Sequence, residues 1–242
     1  MSHKRRRCRA LSTAVATLLV VAHASDVAAD GVVVSKVYDP YVQPLEQEIE
    51  WRIVDQDSGM ASDLQRQSFG FGWSLADRWS AELYALAVQE SGESFTINAC
   101  ELEAKWQLTE QGEFAFDWGL LFELERATTD NTWEWSTTLL ASRDFGRATL
   151  LANLGILYEW GEHIDDEVDS TLQLQLRYRL RERFEPAVEV HVGQDTTAVG
   201  PAILGLLRTS GGHKLLWELG AFAGVGENSP DRILKASMEY EF

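Results

Sequence analysis

The chain has 242 residues, of which 45% are hydrophobic and 24% are charged, and its formal net charge at pH 7 is −17. Such an acidic chain argues against nucleic acid as a partner, because the phosphate backbone attracts basic surfaces. The two cysteines are Cys8 and Cys100. Cys8 lies in a segment that we expect to be removed, so no intramolecular disulfide is predicted.

Residues 1–29 have the pattern of a secretory signal peptide. The opening MSHKRRRCR carries five positive charges, and the apolar run ALSTAVATLLVVAHA follows it. Two small-x-small sequences, AHA and VAA, end at positions 24 and 29 and are typical of cleavage sites. The apolar run is too short for a comfortable membrane-spanning helix. Cleavage would remove five basic residues and one acid, so that the net charge of −17 becomes −21.

From residue 45 onward the chain repeats one theme: about ten residues of alternating polarity, then a turn or a polar loop. Period-two alternation indicates strands with one apolar and one polar face. The length of each stretch suits a tilted transmembrane strand of about 9–11 residues. Twelve strands are predicted, at 45–54, 66–75, 79–89, 95–108, 113–126, 132–144, 147–160, 170–181, 184–194, 198–208, 213–224 and 232–242.

The connections between these strands alternate between compact turns and longer, mostly acidic loops, as in outer-membrane barrels. No helical period competes with this pattern. The preceding stretch, DGVVVSKVYDPYVQ at residues 30–43, is predicted to be a periplasmic lead-in, since Pro40 and Pro44 prevent a long strand there. The predicted domains are therefore 1–29, 30–43 and a barrel at 44–242.

Alternation alone would also suit a soluble β-sandwich, whose outer faces are polar. Aromatic placement favours the membrane barrel, because the large rings occur near strand ends, as in interfacial girdles, and not in mid-strand. These residues are Trp73, Trp79, Trp106, Trp133, Trp135, Trp160 and Tyr240. The predicted fold class is therefore all-β, a closed antiparallel up-and-down transmembrane barrel of about twelve strands.

The last strand, LKASMEYEF, ends on Phe242, with Tyr240 two positions earlier on the same apolar face. This pattern resembles the C-terminal assembly signal of bacterial outer-membrane proteins. The wider stretches GPAILGLLR, LLWELGAFAGVGENSPDRILKASMEYEF and YDPYVQPLEQEIEWR resemble a proteobacterial family of small, porin-like outer-membrane barrels, over nearly all of residues 37–242. The resemblance implies Gram-negative origin, location in the outer membrane, and recognition by the barrel-assembly machinery. It implies no substrate.

The polar faces of the strands are predicted to line the lumen, since a Lys or Arg facing lipid near mid-membrane costs about 2–4 kcal/mol. Acids outnumber bases on these faces by fifteen to five. The residues are Glu46, Glu48, Glu50, Arg52, Glu82, Glu101, Glu103, Lys105, Asp117, Glu123, Glu125, Glu134, Glu159, Arg177, Arg179, Glu189, Glu218, Lys235, Glu239 and Glu241. Such residues are required in any polar lumen, whether or not they have a further function.

Two functions remain open. The first is a passive, cation-preferring channel for small cationic or neutral solutes, because acidic pores favour cations. The second is a non-conducting barrel with a structural or partner-binding role. The expected surroundings are outer-membrane lipid and lipopolysaccharide.

No enzymatic activity, cofactor or metal site is predicted. The mature chain has only three histidines, His163, His191 and His213, and no local nucleophile motif accompanies them. The loop sequence HIDDEVD, residues 163–169, gathers four acids, but its spacing fits no EF-hand, and a solvated acidic loop is the simpler interpretation.

Overall fold

The structure is a computed structural model that describes residues 34–57, 64–90, 95–128, 131–162, 164–194, 196–209, 211–226 and 229–242. The predicted signal peptide and residues 30–33 lie outside the described residues. The described residues include no helix that is long and apolar enough to cross a membrane.

The described residues form a closed antiparallel barrel of twelve strands, which confirms the predicted fold class. Each strand pairs with its neighbours along the chain, and pairing of the first with the last closes the barrel. The strands are β1 (Gln47–Asp57), β2 (Leu64–Ala76), β3 (Trp79–Glu90), β4 (Thr96–Gln107), β5 (Asp117–Ala127), β6 (Trp133–Phe145), β7 (Ala148–Trp160), β8 (Glu167–Tyr178), β9 (Glu185–Val192), β10 (Thr197–Arg208), β11 (Lys214–Gly224) and β12 (Arg232–Glu241).

Two strands begin three or more residues from their predicted positions, and the other ten begin within two residues. β5 begins at Asp117 instead of residue 113 because residues 108–116 form a turn. In that turn Gly112 has a φ of +76° and its N–H donates to Asp117 Oδ1 at 2.7 Å. β8 begins earlier than predicted, at Glu167, because the ladder with β7 continues to the pair Glu159 and Glu167.

The two faces of the wall differ as the alternation predicts. Ile49 and Leu176, for example, are each 53% exposed on the outside, whereas their neighbours Glu50 and Gln175 are buried inside. A wall with exposed aliphatic side chains outside and polar side chains inside is the reverse of a soluble barrel.

The barrel has two distinct ends. The end that carries the connection from β2 to β3, and also holds Phe242, is called the turn end below. The end that carries the connection from β1 to β2 is called the loop end. Aromatic pairs lie at both: Trp79 stacks on Trp106 near the turn end, with ring centroids 5.0 Å apart, and Trp133 stacks on Trp160 near the loop end at 6.4 Å.

Residues 34–43, called the lumen segment below, run inside the barrel and not outside it as a lead-in. Val34 packs among the loop-end residues Val54, Ala198, Phe222 and Ile233. Further along, Tyr38 packs on Leu121 and Leu140 in the middle of the wall. The segment then leaves at the turn end and enters β1. Pro40 prevents a strand here, but a segment that is not a strand can still be held by the side chains of a polar lumen.

The sequence Gly200-Pro201 interrupts one ladder of β10. The two residues pair with β9, but the register with β11 passes from Val199 to Ala202 without them. A Cβ atom at position 200 would lie 2.0 Å from the backbone oxygen of Ala221. Glycine is therefore required here because the neighbouring backbone approaches too closely for any side chain.

We expect Gly200→Ala to lower the free energy of unfolding by about 2 kcal/mol, since the added methyl group overpacks a rigid backbone contact. Urea titration of tryptophan fluorescence in lipid vesicles measures this change. Gly155→Ala is the matched control, because its Cβ would meet the Thr171 hydroxyl, which can rotate away. Equal losses in the two variants would contradict this explanation.

Candidate functional site: the barrel lumen

Asn153 on β7 holds the backbone of the lumen segment. Its Oδ1 accepts from the Tyr38 N–H at 2.8 Å, and its Nδ2 donates to the Tyr38 carbonyl oxygen at 2.9 Å. Asn153 is only 1% exposed. One amide side chain therefore replaces the two backbone partners that a neighbouring strand would supply. It satisfies both the N–H and the carbonyl group of the buried residue Tyr38.

Further contacts fix the segment near the turn end. The Tyr41 hydroxyl donates to Asp117 Oδ2 at 2.7 Å, and the Val42 N–H donates to Gln107 Oε1 at 2.9 Å. Pro40 lies against Gly119, where a Cβ atom would come within 3.0 Å of the proline ring. The wall thus leaves a glycine-sized space for the proline.

Lys36 binds two acids from opposite sides of the seam that closes the barrel. Its Nζ lies 2.6 Å from Glu50 Oε2 on β1 and 2.7 Å from Glu239 Oε2 on β12. Arg52 Nε lies 3.0 Å from the other Glu50 oxygen. Glu50 therefore has a cation on each oxygen, and one of the two belongs to the lumen segment.

Tyrosine hydroxyls connect this ion pair to β3 and β4. The Tyr38 hydroxyl donates to Glu103 Oε1 at 2.8 Å, and the Tyr84 hydroxyl lies 2.9 Å from Glu50 Oε2 and also contacts Glu82. Charged and polar groups that are buried in this way need partners, because a desolvated group without one is costly. The network provides those partners.

A second buried cation organises the wall formed by β9, β11 and β12. Lys235 on β12 lies 2.8 Å from Glu189 Oε2 and also pairs with Glu218. Glu189 accepts further contacts from His191 at 2.9 Å and from Gln175 at 2.7 Å. The Lys235 ammonium group donates to the carbonyl oxygen of Ser35 at 3.2 Å, so this cluster also contacts the lumen segment.

The remaining predicted lumen residues lie outside these clusters. Arg177 and Arg179 each approach Glu185 at 3.9 Å, not Glu46, Glu48 or Glu50. Glu46 pairs with Lys214 at 2.8 Å at the turn end. Glu48 lies beside Gly72, in the space that a Cβ atom there would fill.

Toward the loop end, Glu134 lies opposite Glu125 on one side and Glu159 on the other. Glu123 accepts from the Ser136 hydroxyl. At the opposite end of the barrel, the turn end, Phe242 exchanges backbone hydrogen bonds with Gln47, which extends the ladder between β1 and β12 by one pair.

The described residues enclose two cavities beside the lumen segment. The larger, about 530 Å³, opens toward the turn end, and nine acidic and six basic side chains line it. The smaller, about 160 Å³, lies toward the loop end and is lined by five glutamates and two arginines. Both cavities therefore have a surplus of acidic groups, even after the ion pairs are counted.

The sequence analysis did not identify the lumen segment or the apolar patches that receive it. A signal was present, because Val54, Leu121, Leu140, Phe222 and Ile233 occupy inward positions in the alternation, where polar residues are expected. Apolar side chains in a polar lumen need a partner that excludes water. Val34 and Tyr38 of the lumen segment supply it.

No family model matches the chain, and no curated protein matches it. Solved structures do. The COG4313 outer membrane channel from Pseudomonas putida F1 is 14% identical with a TM-score of 0.58, over 86% of this chain and 98% of that one. The beta domain of the Bordetella autotransporter BrkA is 12% identical with a TM-score of 0.56, over 83% and 99%. The KdgM porin, in complex with disordered oligogalacturonate, is 11% identical with a TM-score of 0.53, over 81% and 98%.

The chain has the fold of the outer-membrane barrels. The similar structures include channels and an autotransporter domain, and at these identities they establish the fold alone. The lumen itself has to indicate which function this barrel serves.

We expect Lys235→Met to lower the free energy of unfolding by about 3–5 kcal/mol, since it leaves Glu189 and Glu218 buried without their cation. Lys214→Met is the matched control: this lysine also pairs with two acids, but its side chain is 26% exposed, against 1% for Lys235. Its loss should cost about 1 kcal/mol or less. Urea unfolding in lipid vesicles compares the two variants, and a larger loss for Lys214→Met would refute the assignment.

Proposed function

We propose that this protein is an outer-membrane channel through which small solutes pass passively, with a preference for cations, and that the lumen segment narrows its pore. The observation that carries the proposal is the pair of charged cavities that remain inside the closed wall beside the segment. Neutral solutes small enough to pass the segment would also be accepted.

The acidic surplus supports the preference for cations. Carboxylates in a narrow, low-dielectric wall concentrate positive counter-ions and repel anions. The bases do not cancel this field, because acids outnumber them in both cavities.

The lumen segment supports a small pore. A barrel of twelve strands is wider than one of eight, whose interior side chains can fill, and narrower than the porins of sixteen. Here part of the interior is occupied by residues 34–43, which Asn153 and the Lys36 ion pairs fix to the wall. Only solutes that fit the remaining space would pass.

The same contacts favour a second candidate, a non-conducting barrel with a structural or partner-binding role. If the segment never moves and the two cavities never join, the barrel carries no current. Under either function we propose that the surroundings are outer-membrane lipid and lipopolysaccharide. We also propose that Tyr240 and Phe242 form the signal read by the barrel-assembly machinery.

We expect cation-selective current in planar bilayers, seen as the reversal potential in a KCl gradient. Glu48→Gln should move that potential toward zero, because Glu48 lines the larger cavity. Glu113→Gln, in the turn after β4, is the control and should have no effect. Selectivity should also fall as salt rises from about 0.1 M to about 1 M, since the screening length shortens from about 10 Å to about 3 Å. Anion selectivity would refute the proposal.

We expect Asn153→Ala to raise the conductance or the open fraction, because it removes both hydrogen bonds to the Tyr38 backbone. Gln173→Ala is the matched control: Gln173 lies directly opposite Asn153 on β8 and lines the smaller cavity. Its loss should leave the conductance nearly unchanged. If the wild type and both variants are folded but carry no current, the non-conducting alternative is correct.

A further inference from the structure

Strand register brings acidic side chains together between β4 and β5. Glu103 lies directly opposite Glu123, and Glu101 lies directly opposite Glu125. Like charges at directly opposed positions destabilise a sheet. Two such pairs in succession need positive charge nearby.

Protein cations supply that charge to only one member of this group. Arg66 Nη2 lies 2.7 Å from Glu125 Oε2, and Arg52 is bound to Glu50. Among the ion pairs of the described residues, none includes Glu101, Glu103 or Glu123. One carboxylate oxygen from each of these three residues lies within 4.8 Å of the other two.

Glu103 provides an independent indication of a ligand. The residue is only 1% exposed, and its Oε1 accepts from the Tyr38 hydroxyl. Its Oε2 is buried and has no hydrogen-bond partner. A buried carboxylate oxygen without a partner is costly, and a native structure usually satisfies it with a water molecule or an ion.

The three carboxylates have space beside them. The smaller cavity, about 160 Å³, is lined by Glu101, Glu103 and Glu123, so it can hold a cation and several water molecules. The other charged groups that line it are Glu125, Glu134, Arg52 and Arg66. Even with both arginines present, the cavity has more acidic than basic groups.

We propose that Glu101, Glu103 and Glu123 bind one divalent cation in the lumen, and that Ca²⁺ fits the site best. Calcium takes oxygen ligands at about 2.3–2.6 Å, so two of its ligands can be at most about 5 Å apart, and the three oxygens, within 4.8 Å of one another, meet that limit. Magnesium demands near-ideal octahedral geometry at about 2.0–2.1 Å and gives up its water reluctantly, so three carboxylates on a protein wall suit it less well. Water in the cavity completes the coordination shell.

Sequence analysis predicted no metal site, because the three residues show no ligand spacing along the chain. The proposed site depends on the pairing of β4 with β5 and goes beyond the channel proposal. Since Glu103 also accepts from Tyr38, a bound cation would lie next to a contact of the lumen segment.

Terbium luminescence tests the site with the whole folded chain in a non-ionic detergent. We expect Tb³⁺ to bind and to be displaced by CaCl₂ at lower concentration than by MgCl₂. Glu103→Gln and Glu123→Gln should each weaken binding about tenfold or more, since each removes a charged ligand. Glu167→Gln, an acid opposite Glu159 and outside the three, is the matched control and should bind Tb³⁺ as the wild type does.

Thermal unfolding gives a second measurement if a glutamine variant folds poorly. We expect CaCl₂ to raise the unfolding temperature of the wild type and of Glu167→Gln, but not that of Glu101→Gln. Absence of Tb³⁺ displacement by CaCl₂ would overturn the proposal. An equal loss of binding in Glu167→Gln would also overturn it, because it would show diffuse attraction of cations to an acidic lumen. No current is measured, so failure of the channel proposal leaves this test intact.

Discussion

Closure of β1 on β12 confines the charged side chains of the strands to a small interior. The rest of the structure depends on the ion pairs that acids and bases form there. The outer face is aliphatic and aromatic, so the charges in the middle of the strands have no other direction to point. Inside, Glu50 is held between Lys36 and Arg52, and Glu189 is held by Lys235. Each of these three cations has an acid as its partner, but acids outnumber bases in both lumen cavities.

The lumen segment is part of this compensation. Lys36 supplies a positive charge that bridges β1 and β12, while Val34 and Tyr38 cover the apolar patches of the inner wall. The segment therefore stabilises the interior and narrows it through the same contacts. In the channel proposed here, permeability would be set by how firmly one short stretch of chain is held.

Glu101 and Glu103 on β4 and Glu123 on β5 take part in no ion pair among the described residues, and neither Lys36 nor Lys235 binds them. Lys36 and Lys235 bind acids of β1, β9, β11 and β12. The surplus of acids is the basis of the proposed preference for cations. It also gives Glu103 and Glu123 the chemistry of a hard-cation site. Both properties follow from one uneven distribution of charge.

Sequence alone determined the strands, their number and which side chains face inward, because alternation is a local property that each strand carries by itself. It did not determine the position of residues 34–43, whose partners Asn153 and Glu103 are far along the chain. The sequence also did not predict that Glu103 and Glu123 lie opposite each other. Their contact depends on the register of β4 with β5. That register depends on the turn between the two strands, whose length was predicted wrongly because β5 begins at Asp117. Inward-facing apolar residues such as Leu121 held the missing information, but their meaning depends on what packs against them, and only the tertiary structure decides that.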